Sequence, residues 1–193
     1  MIVAIANQSG GPAKAAVANQ LALLRARSGR KVALLDADPQ QAACACCHAS
    51  VAAGEKPRVD ARAITGRTLP QDLETLRLRY NDIVIDTEGR DTLESRAALI
   101  AARLAVVPVT LDHIDLDNQY QLIARLNAAR MFNPGLRVLF VILSNAGHPS
   151  ADEIAAVRSY VTHVMSASLA GTVLHQPCTP AEMDALYREV FAH

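Results

Sequence analysis

The residues of this chain with the most chemical potential lie in three short segments. Ser9-Gly10-Gly11-Pro12-Ala13-Lys14-Ala15-Ala16 places a lysine behind a glycine pair, and Asp36-Ala37-Asp38-Pro39-Gln40 and Asp86-Thr87-Glu88-Gly89-Arg90-Asp91 carry closely spaced acids. Between a strand and a helix, a glycine-bearing turn aims backbone N–H groups at phosphate oxygens, and a lysine at the helix start adds a positive charge. A working loop of this kind also needs a Ser or Thr directly after the lysine to hold magnesium. Here that position is Ala15, and Ala16 follows it. An aspartate at the end of an apolar strand can bind magnesium through water, or position an attacking water beside a phosphate. Each feature also has a plainer reading: strand-end aspartates commonly cap helices, and a helix-start lysine can simply be solvated.

The elements that must position these residues are legible as alternating apolar runs and helical periodicities. Ile2 to Ala6 reads as a strand, and Ala16 to Ala26 as a helix with Val17, Leu21 and Leu24 on one side. Further strands are expected at Lys31 to Leu35, Asp82 to Asp86, Leu104 to Val109, Arg137 to Ser144 and Leu169 to Leu174. Near-continuous apolar strands of this sort belong in a parallel sheet covered on both faces, so the expected class is α/β, a three-layer open and mostly parallel sheet. Asp115 to Arg130 has helical spacing and is stopped by Asn133-Pro134-Gly135. Ser150-Ala151-Asp152-Glu153 opens a helix to about Met165, and Thr179-Pro180-Ala181-Glu182 opens the last one. Ala49 to Asp72 has weak periodicity and reads as irregular surface chain with a short strand or helix. In an open α/β sheet both aspartate segments fall at strand carboxyl ends, beside the Lys14 loop, where ligands bind.

Composition narrows the options. The 193 residues suit one domain spanning 1–193, large enough to bury a core without metal or disulfide staples. Nineteen basic residues balance nineteen acidic ones, which excludes the whole chain as an electrostatic nucleic-acid binder and leaves only local patches. Arg25, Arg27, Arg30 and Lys31 form one such patch, and Arg58, Arg62 and Arg67 a looser one. Neither has interleaved aromatics, so each is a solvated face or a salt-dependent contact for the DNA backbone. The chain enters a strand at once, and charges such as Arg103 interrupt its apolar stretches, so a soluble cytoplasmic protein without a membrane partner is expected. Cys44, Cys46, Cys47 and His48 diverge along one short segment with no second cluster to complete a tetrahedral shell. Small apolar filler is the simpler account of these cysteines.

Taken together, these segments resemble the ParA/MinD family of deviant Walker-A ATPases, in particular the small plasmid and chromosome partition proteins without an extra DNA-binding domain. The family typically reads Asn-Gln-Lys-Gly-Gly-x-Gly-Lys-Thr-Thr after the first strand. This chain reads Asn7-Gln8-Ser9-Gly10-Gly11-Pro12-Ala13-Lys14-Ala15-Ala16. Gly29 to Gln40 matches closely and puts Asp38 on the switch I aspartate implicated in hydrolysis. Asp86 to Asp91 resembles the Walker B region, with Asp86 on its magnesium-associated acid, and Val107-Pro108-Val109 resembles the next family strand and turn. Asn145 falls on an asparagine that the family places near the adenine edge, and His175-Gln176-Pro177-Cys178 on the loop flanking the base. The resemblance implies ATP or ADP with Mg2+ as ligands, a partition or transfer partner protein, nonspecific contacts to DNA, and a homodimer closing around two nucleotides.

The departures from the family pattern concern the chemistry. Ser9 replaces the signature lysine that reaches the dimer partner's phosphates, Ala13 puts a methyl where the last loop glycine allows close approach, Pro12 has no N–H to donate, and Ala15 has no hydroxyl. Gly10, Gly11, Lys14, Asp38 and Asp86 remain. The expectation is a degenerate ParA-like partition or maintenance protein with weak or absent hydrolysis, one that either keeps a nucleotide or binds none. Two rivals stand beside it. One is an active magnesium-dependent partition or conjugation ATPase using Lys14, Asp38 and Asp86; the other is a noncatalytic interaction scaffold.

Overall fold

A computed structural model describes residues 1–7, 12–54, 56, 59–64, 68–111, 116–145 and 147–191, with the backbone alone for 116–119. Gln8, Ser9, Gly10, Gly11, Arg58, Arg67 and Asp115 lie outside the described residues.

Seven parallel strands form one sheet in the order β3-β2-β4-β1-β5-β6-β7. They are β1 (Ile2–Ile5), β2 (Val32–Asp36), β3 (Asp60–Ala63), β4 (Asp82–Asp86), β5 (Leu104–Thr110), β6 (Arg137–Ser144) and β7 (Ala167–His175). Seven helices alternate with them: α1 (Pro12–Arg27), α2 (Ala42–Ala52), α3 (Leu69–Arg77), α4 (Leu93–Ala101), α5 (Leu116–Phe132), α6 (Ala151–Val161) and α7 (Pro180–Phe191). The sequence of β1, β2 and β4 is apolar on successive residues because both faces are covered, and every residue of these strands is buried. One core packs α1, α2 and α7 through Leu21, Cys47 and Leu186. The other packs α3, α4, α5 and α6 through Leu73, Leu99, Leu126 and Tyr160. The three-layer α/β architecture expected from the sequence is the one observed.

One expectation is made specific and one needs correction. The segment read as irregular with a short strand or helix contains a short seventh strand, β3, which pairs with β2 from Ala33↔Asp60 to Asp36↔Ala63. As an edge strand it is half exposed, so Asp60-Ala61-Arg62-Ala63 never needed the apolar run by which buried strands are recognised. The helix opened by Ser150 ends at Val161 rather than near Met165. The chain turns there, with Thr162 Oγ1 donating to Ser159 O at 2.6 Å and Ser166 at φ 53, to enter β7.

Candidate functional site

β1 lies between β4 and β5, and the chain leaves it through α1 on one face while α4 leaves β4 on the other. This places the carboxyl ends of β1, β2 and β4 around one crevice, the position at which open α/β sheets bind ligands. Lys14, in the first turn of α1, points into it and is 1% exposed. Its Nζ lies 2.9 Å from Asp86 Oδ1 and 3.4 Å from Asp38 Oδ2, and donates a short hydrogen bond to the Thr87 carbonyl. Thr87 is in turn tied to β1, its hydroxyl donating to Ile5 O at 2.9 Å. The three segments singled out in the sequence therefore converge, and they converge on each other.

The remaining acid, Asp36, completes a backbone scaffold. Its carboxylate accepts from Asp38 N at 3.1 Å and from Cys44 N at 2.8 Å, fixing the turn after β2 and the first turn of α2. Asp38 Oδ1 accepts from Gln40 N at 3.0 Å. Burial pushes the Asp86 carboxyl up to about 6; Lys14 beside it pulls the other way, and Asp36 and Asp38 add to the rise. Burial likewise pushes the Cys44 thiol up to about 11, so it is not a ready thiolate ligand.

In this arrangement the donor set is poor for a magnesium ion: Lys14 Nζ lies between Asp86 and Asp38, and Ala15 and Ala16 supply no hydroxyl. Cys44 and Cys47 are buried in α2, and Cys47 belongs to the core beneath it.

A second part of the crevice is open. A cavity of about 580 Å³ runs along α1 against the segment from β7 into α7, lined by Ala13, Gln20, Arg27, Leu143, Met183 and Asp184 among others. Its walls are largely apolar but carry the charged side chains of Arg27 and Asp184 and the amides of Gln20 and Gln176, and the volume is that of a small-molecule pocket. Ala13 and Ala16 sit on its wall, whereas Asn145 is exposed beyond the end of β6; among the described residues, Leu143 is what β6 contributes to the lining. The loop leading into α7 is held by Glu182, which accepts from Thr179 N at 2.9 Å and lies 2.6 Å from His175 Nδ1. The hydrogen bond from the Thr179 amide, with His175 beside it, holds that carboxyl down at about 2.

One residue of the crevice was missed in the sequence. Arg125 of α5 is 7% exposed and donates to Gly89 O (3.1 Å), Arg90 O (2.7 Å) and Asn7 O (2.8 Å). It therefore ties the chain after β4 to the chain after β1. The signal was an arginine on the apolar stripe Leu122, Leu126 and Ala129, but its partners are backbone carbonyls, which no side-chain pattern reveals.

Residues 3–176 match the model of the CobQ/CobB/MinD/ParA nucleotide binding domain. The chain belongs to this family. Among solved structures, it is similar to a plasmid partition protein from Borrelia burgdorferi at 17% identity, covering 100% of this chain and 97% of that one with a TM-score of 0.70. A second Borrelia burgdorferi structure of this kind, bound to AMPPNP, gives 17% identity, 100% and 98% coverage and a TM-score of 0.71. Cobyrinic acid a,c-diamide synthase from Mycobacterium smegmatis, bound to ADP and magnesium, gives 18% identity, 97% and 91% coverage and a TM-score of 0.74. No curated protein sequence matches the chain. At these identities the structural likenesses establish the fold, which is that of the family.

Proposed function

We propose that this chain is a ParA-like protein serving the partition or maintenance of a plasmid or similar DNA element, with weak or absent ATP hydrolysis, its length forming one nucleotide-binding-type domain. The observation that carries the reading is the state of Lys14. Its charge is spent on Asp86, Asp38 and the Thr87 carbonyl, and no hydroxyl follows it in α1. Phosphoryl transfer depends on cations and donors directed at the phosphate, and a lysine enclosed by acids is not so directed. In this reading Gly10, Gly11, Ala13, Lys14, Ala15 and Ala16 are the remnant of a phosphate cradle, and Asn145 is the residue nearest in kind to a base-edge contact. Asp38 and Asp86 have their expected roles, placing water and holding magnesium, only in the active-ATPase rival.

The open cavity favours a specific form of this function: a nucleotide held by its base and sugar, without magnesium. The protein then acts by contacting a partition or transfer partner, or the DNA backbone, through a fold inherited from an ATP-driven dimer. Closure of such a dimer around two nucleotides is weakened because Ser9 supplies no charge to the partner's phosphates.

Two assays test the proposal together. Deleting the coding sequence from the replicon that carries it raises loss of that replicon in dividing cells, and a copy altered at Asp38 (Asp38→Asn) restores retention because hydrolysis is not the working step. Magnesium-dependent ATP turnover by the purified protein, abolished by Asp38→Asn together with retention, supports the ATPase rival instead. Unchanged replicon loss on deletion contradicts the partition reading itself.

A further inference from the structure

The opposite end of the sheet, where strands begin and helices finish, carries two parallel rows of exposed side chains. The first is cationic. Lys31, Arg103 and Arg137 immediately precede or open β2, β5 and β6, and all three are exposed. Backbone hydrogen bonds from Arg137 N to Arg103 O and from Arg103 N to Ile2 O set the latter two side by side on neighbouring strands. Arg77 and Arg79 join them from the end of α3, beside a cavity of about 280 Å³ that Arg77, Tyr80 and Arg103 help line. The acids that open β3 and β4 do not offset this row. Asp60 is engaged by Arg62 and Tyr80, and Asp82, 1% exposed, is engaged by Arg25 and Arg30 at 2.8 and 2.9 Å.

The second row is apolar. Of the large apolar side chains exposed among the described residues, Leu78 (90%), Ile100, Met131 (79%), Phe132 (74%) and Met165 all lie at this end, at or just past the last turns of α3, α4, α5 and α6. Hydrogen bonds link them into one line. Arg77 donates to Ala101 O, Asn133 to Leu99 O and Ala102 O, and Arg130 to Leu136 O and Met165 O. Helix dipoles account for arginines in the last turns of helices. They do not account for cations at strand starts, nor for projecting leucine, methionine and phenylalanine.

We propose that this end of the molecule is a docking surface for an anionic lipid bilayer. Its cations meet the headgroup phosphates, and the apolar row enters the boundary between headgroups and acyl chains. The geometry selects this occupant over three others. A second copy of the same face would set cation against cation. A duplex nucleic acid would satisfy the cations but leave the apolar row against phosphates or water. A folded protein partner would need a matching pocket for each of these apolar side chains, spread across four helix ends, whereas a fluid surface accommodates them wherever they project. Surface attachment is a different matter from a spanning segment, and among the described residues no helix is long and apolar enough to cross a membrane.

The test is co-sedimentation of the full chain with phosphatidylcholine vesicles, with and without phosphatidylglycerol, at low and physiological salt. The expected result is binding only where phosphatidylglycerol is present, weakened at least tenfold both by Leu78→Ser with Phe132→Ser and by Arg103→Glu with Arg137→Glu. All four positions are exposed, and an unchanged circular dichroism melt of each variant shows that the loss is one of binding. Three results overturn the proposal: no sedimentation with anionic vesicles, binding indifferent to the apolar substitutions, or concentration-dependent dimers in light scattering that the same apolar substitutions abolish. Duplex DNA supplies the control. Retention of DNA at physiological salt that depends on Arg103 and Arg137, without vesicle binding, assigns the face to nucleic acid and likewise overturns it.

Discussion

The two halves of the crevice at the strand carboxyl ends have parted ways. On the side of β1, β2 and β4, Lys14, Asp38, Asp86 and Asp36 form a closed set that satisfies its own charges against the protein. On the side of β6, β7 and α7, a cavity of about 580 Å³ stands open, its largely apolar walls also carrying Arg27 and Asp184. In the proposed reading, the fold keeps the shape of a site while its charged groups serve the core. A lysine directed at a ligand costs stability when no ligand is bound, whereas a lysine directed at two buried acids contributes to holding three loops together.

If the closed half is structural, its lysine matters more to folding than anything in the open half. Lys14→Met leaves Asp86 and Asp38 buried without a cation and is expected to cost about 3–5 kcal/mol in urea unfolding without ligand. Cys178→Ala on the cavity wall is expected to cost less than about 1 kcal/mol. Near-equal costs would erase the distinction between the halves.

The pH dependence sharpens it. Asp86 titrates at about 6 in the folded chain against an ordinary 3.8, so the folded state binds its proton more tightly. Stability from this group is complete below the ordinary value and falls as pH rises through about 6, by on the order of 3 kcal/mol. Glu182, held down at about 2, acts with the opposite sign, and its contribution is lost as pH falls toward that value. The measurement is therefore the difference between the unmodified chain and Asp86→Asn across pH 4 to 7, which should carry the slope assigned to Asp86. A flat difference would mean that this carboxyl is not buried against its neighbours.

Arg125 probes the seam around the closed half. Arg125→Met leaves the carbonyls of Asn7, Gly89 and Arg90 without their donor and is expected to cost about 1–3 kcal/mol. Amide hydrogen exchange should quicken in the residues after β1 and β4 while α7 is unaffected. A small effect again belongs to the open half: Thr179→Ala removes the hydroxyl that accepts from Glu182 N at 3.3 Å, and should lower stability by about 1 kcal/mol while loosening the cavity's rim.

Much of this was legible in the sequence, and the reasons differ by element. Strands buried on both faces announced themselves as apolar runs, and the capping pairs Ser150–Glu153 and Thr179–Glu182 marked helix starts that the structure shows with reciprocal hydrogen bonds. The edge strand β3 could be read only as a short strand or helix somewhere in its segment, because an exposed edge makes few demands on its residues. The meeting of Lys14 with Asp38 and Asp86 followed from their places at strand ends. That the lysine would turn inward onto them depended on rotamers and on the Thr87 carbonyl, which composition does not encode. Arg125 escaped for the same reason, since its three partners are main-chain oxygens.

A closed phosphate and metal half beside an open base half is tested by calorimetric titration with ADP, with and without magnesium. Weak binding with the same affinity in both conditions, set by the cavity between α1 and α7, is expected. Micromolar binding that strengthens markedly with magnesium would contradict it, because Asp86 and Asp38 would then have exchanged Lys14 for a metal ion.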